Sequence, residues 1–350
     1  MGDPLAGLDL CHINLAKGYR GGERQTELLV AELARRGYAQ HLVVRPGNPL
    51  AKRCAGIPKL AITEVGGRVA GAALATRGSD LVHAHEAQAF YAAALANLLF
   101  GKPYALTRRV PNPQRPSFAR RISYRRAGRL VGVSDAVAKN VHALYPDIDV
   151  TVVPDAHANL VADEAVVEAL RARYPGKRLI GHVGALHDEH KGQRTILAAA
   201  RRALAEGRDW QFLLCGDGKD EAALRQEARG LDNVTFEGFV DNPGDYLASC
   251  DLFVFPSNFE ALGSSLLDAM YFGLPIVASG VGGIPEVIEE GVNGWLIEPG
   301  DGTALFERVD QVLAEEESRS RMAAANRQKA AQYSAARMTD AYVEIYRSIL

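Results

Sequence analysis

The sequence predicts an α/β protein made of two doubly wound parallel sheets. Short apolar runs of strand length alternate with amphipathic helical patterns, which is typical of parallel strands joined by helices. The alternation starts a second time near the middle of the 350 residues, and a hydrophobic content of 47% is sufficient for two cores. We therefore expect two domains, each built around its own sheet.

The first series begins with the apolar run Leu8–Leu15, interpreted as a strand, which precedes Gly18. An amphipathic helix follows at Glu23–Arg36, and Gly37 ends it, because glycine readily adopts the left-handed conformation found after helices. Later apolar runs continue the series as strands at 41–44, 81–83, 104–107, 130–133 and 150–153.

A helical pattern at Asp163–Tyr174 separates the two series, and the chain ends on another at Ser334–Leu350. We place the domains at 1–160 and 161–332, and the final helix at 333–350. Folds of this type bind ligands beside the carboxyl ends of their strands, so we expect the site in a cleft between the two sheets. The strands of the second series are predicted at 179–183, 212–215, 234–236, 252–255, 276–278 and 295–297.

No apolar stretch reaches the roughly 18 residues that a membrane-spanning helix needs, and the longest run, Phe90–Phe100, predicts a buried helix. The N-terminus has no pattern of a secretion signal. Cys11, Cys54, Cys215 and Cys250 form no C-x-x-C pair, which disfavours a disulfide framework or a zinc site of that type. We expect a cytoplasmic protein.

Charge is distributed unevenly along the chain. Residues 1–160 hold 21 Lys and Arg against 12 Asp and Glu, whereas the remainder holds 19 against 30. The basic half predicts contact with an anionic partner; the alternative is that its arginines solvate a helix and pair with the acidic half. The basic charge is concentrated in an acid-free stretch that contains Arg108, Arg109, Arg115, Arg120, Arg121, Arg125, Arg126 and Arg129.

The stretch Ser257–Ser279, SNFEALGSSLLDAMYFGLPIVAS, follows a predicted strand directly. A short loop carries Glu260 and Gly263, and Ser264 or Ser265 is expected to cap the helix that follows. The free N–H groups at the start of a helix favour an anionic ligand such as a phosphate. Asp268 lies about 6 Å further along the helix axis, where a carboxylate can accept hydrogen bonds from ribose hydroxyls.

This stretch resembles the E-x7-E signature of the retaining GT-B glycosyltransferases of family 4 (group 1), including bacterial lipopolysaccharide-core and cell-envelope hexosyltransferases. The resemblance implies that Glu260 contacts the donor sugar and that Asp268, one methylene shorter than the usual Glu, contacts the ribose. The pattern of residues 269–279 also fits the family. The resemblance further assigns donor-binding roles to Ala261, Leu262, Gly263 and Ser264.

Four further segments of the second half resemble family landmarks. The stretch His182–Gln193 matches the segment whose lysine, here Lys191, holds the donor diphosphate. Here Ala185 replaces the usual arginine, and the spacing to Lys191 is one residue longer. For Glu286, a ligand-binding role and a purely structural role as an acid at the start of a helix are equally expected. The other donor-binding positions that the resemblance implies are Gly184, Gly216 and Val240.

In the first half, Gly21 and Gly22 match a loop that opens a helix end toward phosphate or an acceptor hydroxyl, with a plain turn as the alternative. His85 matches a histidine near the donor sugar, with an ordinary buried histidine as the alternative. Asp147-x-Asp149 has the form of a metal-binding D-x-D, but its position after Pro146 favours a turn. Asp155 stands where the family usually has Asn.

The resemblance implies two Rossmann-like domains in a GT-B arrangement and a retaining hexosyltransferase with Glu260, Lys191 and His85 as catalytic residues. It implies a nucleotide-sugar donor, with UDP favoured, and neither metal nor cofactor. We expect a glycan or glycolipid acceptor, contacted by Arg108, Arg109, Arg115, Arg120 and Arg121, a peripheral contact with the inner membrane, and no nucleic acid. The alternatives are a nucleotide-sugar epimerase of the same fold and a non-catalytic nucleotide-sugar-binding subunit.

Overall fold

The computed structural model describes residues 5, 7–66, 69–110 and 117–350. The chain forms two compact units. Unit 1 comprises the described residues up to Ala158 together with Ser334–Leu350, and unit 2 comprises Asn159–Tyr333. The predicted boundaries after residues 160 and 332 lie two residues and one residue from these divisions.

The strands are β1 Asp9–Asn14, β2 Ala39–Val44, β3 Leu60–Glu64, β4 Leu81–Ala84, β5 Tyr104–Arg108, β6 Arg129–Gly132, β7 Val150–Val152, β8 Arg178–Val183, β9 Trp210–Cys215, β10 Val234–Gly238, β11 Leu252–Phe255, β12 Ile276–Ser279 and β13 Gly294–Ile297. The helices are α1 Gly21–Arg35, α2 Pro49–Cys54, α3 Val69–Ala75, α4 Ala87–Phe100, α5 Phe118–Arg126, α6 Asp135–Leu144, α7 Glu164–Ala172, α8 Asp188–Lys191, α9 Gln193–Ala205, α10 Glu221–Glu227, α11 Pro243–Ser249, α12 Ser264–Tyr271, α13 Ile284–Val287, α14 Gly302–Ala314, α15 Glu316–Ala330 and α16 Ala335–Ile349; a 3₁₀ turn spans Ala331–Tyr333.

Unit 1 contains a parallel sheet in the order β3-β2-β1-β4-β5-β6-β7. Its central strand β1 is buried on both faces: Cys11 and Ile13 pack into one apolar cluster, while Leu10 packs into another. Such burial explains why the strand is a continuous apolar run in the sequence. Helix α16 belongs to this unit, and Tyr342 and Tyr346 are fully buried in the same cluster as Leu10.

Unit 2 contains a parallel sheet in the order β10-β9-β8-β11-β12-β13. The predicted fold class, two doubly wound parallel sheets, is thus confirmed. From β8 the sheet continues to β9 and β10 on one side, and from β11 it continues to β12 and β13 on the other side. The neighbours β8 and β11 therefore form the topological switch point. The loops that follow β8 and β11 meet at the carboxyl edge of the sheet, which we define as the edge where its strands end.

The structure adds elements that the sequence patterns did not predict, namely α2, β3 and α3. The helix predicted at Phe90–Phe100 is present as part of α4, but it is buried only in part, because Leu98 and Leu99 at its end are 68% and 53% exposed. All four cysteines are buried and free. Within the described residues, no helix has both the length and the apolar character needed to cross a bilayer.

Candidate functional site

Two oppositely charged side chains meet at the switch point of unit 2. Lys191 ends α8 in the connection after β8, and Glu260 lies in the loop after β11. The Lys191 Nζ lies 2.5 Å from Glu260 Oε2, and the two side chains are 22% and 14% exposed. The second oxygen, Oε1, accepts a hydrogen bond from the N–H of Ala261 at 3.2 Å. The two residues of this half that were predicted to be catalytic therefore form one ion pair at the carboxyl edge.

The surroundings of Lys191 carry no competing positive charge from His182. Its Nδ1–H donates to the carbonyl of Val254 at 3.1 Å, and burial lowers the pKa of His182 to about 4. The imidazole is therefore neutral near pH 7. Lys191 Nζ also lies 5.0 Å from the centre of the Phe255 ring, close enough for a cation–π contact.

The helix α12 begins beside this ion pair with an open N-terminus. Gly263 is the residue before the helix, with φ +97°, and no side chain caps the first turn. Ser264 is the first helical residue, so the expectation that Ser264 or Ser265 caps the helix is wrong. A Cβ built on Gly263 would lie 3.5 Å from Cγ of Glu260. The first N–H groups of α12 thus lie next to Glu260 and can donate to an anion.

The backbone after β12 supports Glu260 from another side. Gly282 has φ +56°, and a Cβ at this position would lie 1.7 Å from the carbonyl oxygen of Glu260. Only glycine permits this approach, because any side chain would overlap the peptide of Glu260. Glu286 lies in the first turn of α13 with an exposed side chain. Asp268 is 3% exposed on α12, one turn beyond the helix start.

The remaining predicted donor-binding positions of this half also follow strands of the sheet. Gly184 comes directly after β8, and its N–H donates to the carbonyl of Cys215 at 3.0 Å. Gly216 follows β9, and Val240 lies two residues after β10 and is half-buried. Ala261 and Leu262 are buried in the loop between β11 and α12. The carboxyl edge of unit 2 therefore gathers these residues although they are distant in sequence.

In unit 1, His85 lies directly after β4 and is 3% exposed. Its Nε2 is 3.1 Å from Nδ1 of His12, and its Nδ1 is 3.5 Å from Nη1 of Arg109. Burial, reinforced by nearby histidines and Arg109, holds the pKa of His85 well below its ordinary value. The ring is therefore neutral, and both nitrogens have partners inside the unit.

Arg109 forms a buried ion pair that the sequence patterns did not reveal. Its Nε donates to Asp155 Oδ1 at 2.9 Å, and the side chains are 8% and 10% exposed. Gly22, which with Gly21 forms the first turn of α1, lies next to Arg109, because a Cβ built on it would be 3.8 Å from Arg109 Cδ. The sequence signal that could have indicated this ion pair was Asp155, which was noted only as a departure from the family pattern.

The arginine-rich stretch is not a uniformly exposed surface, which corrects the sequence interpretation. Arg108 is 5% exposed and lies 3.4 Å from the hydroxyl of Tyr124, and Arg109 is held as described. Arg120 is half-buried, and Arg121 is exposed. Arg115 lies outside the described residues.

The alternative interpretation paired these arginines with the acidic second half, but the ion pairs observed for them lie within unit 1. Arg121 and Arg125 pair with Asp147 at 3.1 and 3.2 Å, and Arg129 pairs with Asp149 at 3.3 Å. Both aspartates belong to unit 1. Asp147 lies in a turn, as predicted, and its single carboxylate is shared by Arg121 and Arg125, which leaves one positive charge in excess.

Comparisons with known proteins cover both units. Residues 177–315 match the family model described as glycosyl transferases group 1, and residues 19–156 match glycosyltransferase family 4. The chain is 30% identical to 2-deoxystreptamine N-acetyl-D-glucosaminyltransferase of Streptomyces fradiae, over 92% of this chain and 86% of that protein. It is 29% identical to N-acetyl-α-D-glucosaminyl L-malate synthase of Bacillus anthracis over 63% of this chain, but the match spans only 60% of that synthase.

A solved structure agrees on the fold. HepE of Anabaena, crystallised with UDP and glucose, superimposes with a TM-score of 0.85 at 20% identity, covering 97% of this chain and 100% of that one. The strand orders of both units, the motifs at their carboxyl edges and the Streptomyces fradiae relative all indicate the same family. The chain therefore belongs to the group 1 (family 4) glycosyltransferases with the GT-B fold.

Proposed function

We propose that the chain transfers a hexose from a nucleotide-sugar donor, with UDP favoured, to a glycan or glycolipid acceptor with retention of the anomeric configuration. The observation that carries the proposal is the Lys191–Glu260 ion pair, which lies beside the open N-terminus of α12. An ammonium group and free helix N–H groups are the donors that a diphosphate needs. The family membership and the UDP complex of HepE support the same donor class.

The charged residues have different roles in this proposal. The diphosphate takes Glu260's place as the partner of Lys191, and Glu260 then accepts hydrogen bonds from the sugar hydroxyls. Asp268, buried on α12, accepts hydrogen bonds from the ribose. In unit 1, the first turn of α1 and neutral His85 supply further contacts to the donor or acceptor. To bind a hydroxyl group, His85 would give up the long 3.5 Å contact between its Nδ1 and Arg109.

The reaction follows from these positions. The bond between the anomeric carbon and the leaving phosphate oxygen breaks, and its electron pair goes to the phosphate. The acceptor hydroxyl oxygen forms the new bond on the same face, and its proton passes to the leaving phosphate. Lys191 and the α12 N–H groups stabilise the leaving charge, so catalysis rests on positioning and electrostatics without a metal. We therefore expect turnover at saturating donor to withstand EDTA.

We propose an anionic acceptor of the cell envelope, such as a polysaccharide or the lipopolysaccharide core, reached by peripheral contact with the inner membrane. On α5, Phe118 and Ile122 are 82% and 39% exposed, and Arg121 and Arg125 lie on the same short helix. Exposed apolar side chains flanked by arginines are typical of helices that lie on an anionic lipid surface. The Streptomyces fradiae relative is named for 2-deoxystreptamine, a small amine, which such arginines would not attract.

Donor screening tests the proposal. Thermal unfolding of the purified chain is measured with UDP-, GDP- and ADP-sugars, because a ligand that binds the folded state raises the unfolding temperature. We expect one nucleotide class to stabilise the wild type, and Lys191→Met to lose most of that shift. Lys177→Met is the matched control, since Lys177 lies before β8 at the opposite edge of the same sheet.

Product analysis then separates the candidate functions. The anomeric coupling of the transferred sugar, measured by NMR, reports retention or inversion. Conversion of the donor sugar without any acceptor would indicate the epimerase alternative. Donor binding without transfer to any acceptor and without slow hydrolysis would indicate a non-catalytic subunit.

A further inference from the structure

A second cluster of potential ligands adjoins Lys191 on the short helix α8. His187 precedes the helix, and Glu189 and His190 lie within it. One ligand atom from each of the three residues lies within 4.8 Å of the others. This segment is also where the chain has one residue more than the family pattern before the lysine. The cluster therefore arises where this sequence departs from its family.

The side chains already converge. The rings of His187 and His190, three residues apart, stack with centroids 4.3 Å apart and an interplanar angle of 19°. His187 Nε2 lies 3.5 Å from Glu189 Oε2. Zinc bonds to histidine and carboxylate of about 2.0–2.2 Å place neighbouring tetrahedral ligands about 3.4 Å apart. The separations in the structure, up to 4.8 Å, exceed this spacing by at most about 1.4 Å, a difference that rotation of the side chains would have to close.

One of the ligand atoms makes no hydrogen bond to the described residues, although a carboxylate oxygen of the same cluster lies 3.5 Å from it. His187 Nε2 is buried from solvent and has no hydrogen bond among the described residues. A buried polar atom without a partner is rare in native structures and indicates an unseen ion, water or ligand.

Little opposes the binding of an ion at this place. Besides His187, the ion-pair partner that the described residues give Glu189 is Lys219 at 3.6 Å, and the side chains of Glu189 and Lys219 are largely exposed, at 69% and 58%. Such exposed pairs contribute little, so a metal can replace Lys219 as the partner of Glu189. Lys191, the other nearby cation, is neutralised by Glu260.

We propose that His187, Glu189 and His190 form a binding site for one zinc-class divalent ion, with solvent completing the coordination. Two imidazoles and one carboxylate suit Zn²⁺ and its transition-metal neighbours, whereas Mg²⁺ and Ca²⁺ prefer oxygen ligands only. The site is separate from the transfer reaction, which needs no metal in the mechanism above.

The ion would act on the contacts between α8, which carries Lys191, and the loop that carries Glu260. The carbonyl of His190 accepts hydrogen bonds from the N–H groups of Asn258 at 2.9 Å and Phe259 at 3.3 Å, directly before Glu260. The His190 ring also packs edge-on against Phe259, with centroids 5.9 Å apart. A metal that holds His190 therefore holds both Lys191 and the Glu260 loop. We therefore expect UDP to bind more tightly when the ion is present, an expectation that rests on the proposed function.

The buried cluster of His12, His83 and His85 in unit 1 also brings its nitrogens within 4.8 Å, but it suits an ion poorly. Both nitrogens of His83 are hydrogen-bonded, to the hydroxyls of Tyr346 and Thr107 at 2.7 Å each. The guanidinium of Arg109 beside His85 would repel a cation. We therefore assign the site to α8 alone.

Zinc binding is tested on the metal-stripped full chain, by competition for ZnCl₂ against a chromogenic chelator. We expect one equivalent to bind and the affinity to fall about tenfold or more in His187→Ala and in His190→Ala. His142→Ala, which removes an exposed histidine of unit 1, is the matched control and should bind as the wild type does. Circular dichroism verifies that the variants are folded. No binding by the wild type, or wild-type binding by both variants, would overturn the inference.

Co²⁺ substitution provides a second readout. We expect visible absorption bands of four- or five-coordinate cobalt in the wild type and their loss in both variants; persistence of the bands would place the ion elsewhere. Calorimetric titration with UDP then compares zinc-loaded and stripped protein, and the His190→Ala variant corrects for zinc bound directly by UDP. A several-fold gain in UDP affinity in the wild type alone supports the coupling. Zinc binding without any UDP binding would refute the proposed donor site while the metal site stands.

Discussion

Lys191 Nζ and Glu260 Oε2 lie 2.5 Å apart although 69 residues separate them in the chain. Each residue belongs to a different strand connection, and the two connections are neighbours only because β8 and β11 pair in the sheet. Both side chains keep some exposure, so the pair is accessible to a ligand. In the function that we propose, a donor exchanges these protein contacts for its own.

Replacing the carboxylate of this pair tests its role in transfer. We expect Glu260→Ala to lower kcat/KM by two or more orders of magnitude, because the sugar loses the acceptor that orients it. Glu260→Asp, which keeps the charge on a shorter side chain, should recover part of the rate. The unfolding temperature should change little in both. Near-normal turnover by Glu260→Ala would remove this residue from the mechanism.

Gly282→Ala is expected to damage the site through the backbone. The new Cβ would lie 1.7 Å from the carbonyl oxygen of Glu260, so the loop must move. Gly300→Ala is the matched control, since Gly300 also has a positive φ, +80°, but a Cβ there meets nothing within 4 Å. The control should lose only the conformational cost of about 1–2 kcal/mol. Gly282→Ala should lose more stability and most activity; equal losses in both would contradict the packing argument.

Breaking the buried pair of unit 1 is expected to be costly. Asp155→Ala leaves the guanidinium of Arg109 buried without its carboxylate, and such losses are about 3–5 kcal/mol. Asp149→Ala removes a carboxylate that is 82% exposed from its pair with half-buried Arg129 and should cost less than about 1 kcal/mol. Urea unfolding followed by a probe in unit 1 measures the difference. Similar midpoints for the two variants would show that the buried pair contributes no more than a surface pair.

The stability of unit 2 should depend on the protonation of His182. Burial lowers its pKa to about 4 from 6.5, so between these values the unfolded chain binds more protons than the folded one. Stability must therefore decrease as pH falls from 6.5 toward 4, by about 3 kcal/mol in total from this group.

His182→Asn measures this contribution, because the amide N–H can replace the Nδ1–H that donates to Val254. The variant should show a shallower loss of stability between pH 6.5 and 4, with little further difference above pH 7. A pH dependence identical to that of the wild type would show that His182 does not titrate in this range.

Membrane contact is expected to depend on both charge and apolar area of α5. The purified chain should sediment with vesicles that contain anionic lipid, and binding should weaken as salt rises. Phe118→Ser and Arg121→Ala should each lower the partition coefficient about fivefold, whereas Arg77→Ala, another exposed arginine of unit 1, should not. Binding that is insensitive to salt would contradict the electrostatic part of the proposal.

The sequence could predict features that depend on neighbouring residues. Strands buried on both faces, such as β1 and β11, appear as apolar runs because every side chain meets a core. The strand β3 was missed because it lies at the sheet edge and is only half-buried, so it does not form a run that is buried on both faces. The site stretch around Glu260 was recognisable because its strand, loop and helix are contiguous.

The ion pair of unit 1 depends on a contact that no local pattern reveals. Arg109 and Asp155 are 46 residues apart, and only the neighbouring connections of unit 1 bring them together. For the same reason, charge counting placed Arg108 and Arg109 on an exposed surface, whereas both side chains are buried.

By itself, the sequence determined the alternation of strands and helices, the carboxyl-edge loops and the residue types that a nucleotide sugar needs, because these follow from short-range periodicity and local motifs. The tertiary structure alone decided which charges meet. Lys191 finds Glu260 because parallel strands with a switch point between them bring distant loops to one edge, and Arg109 finds Asp155 in the same way. Electrostatic partners depend on distance in space, which the order of residues does not specify.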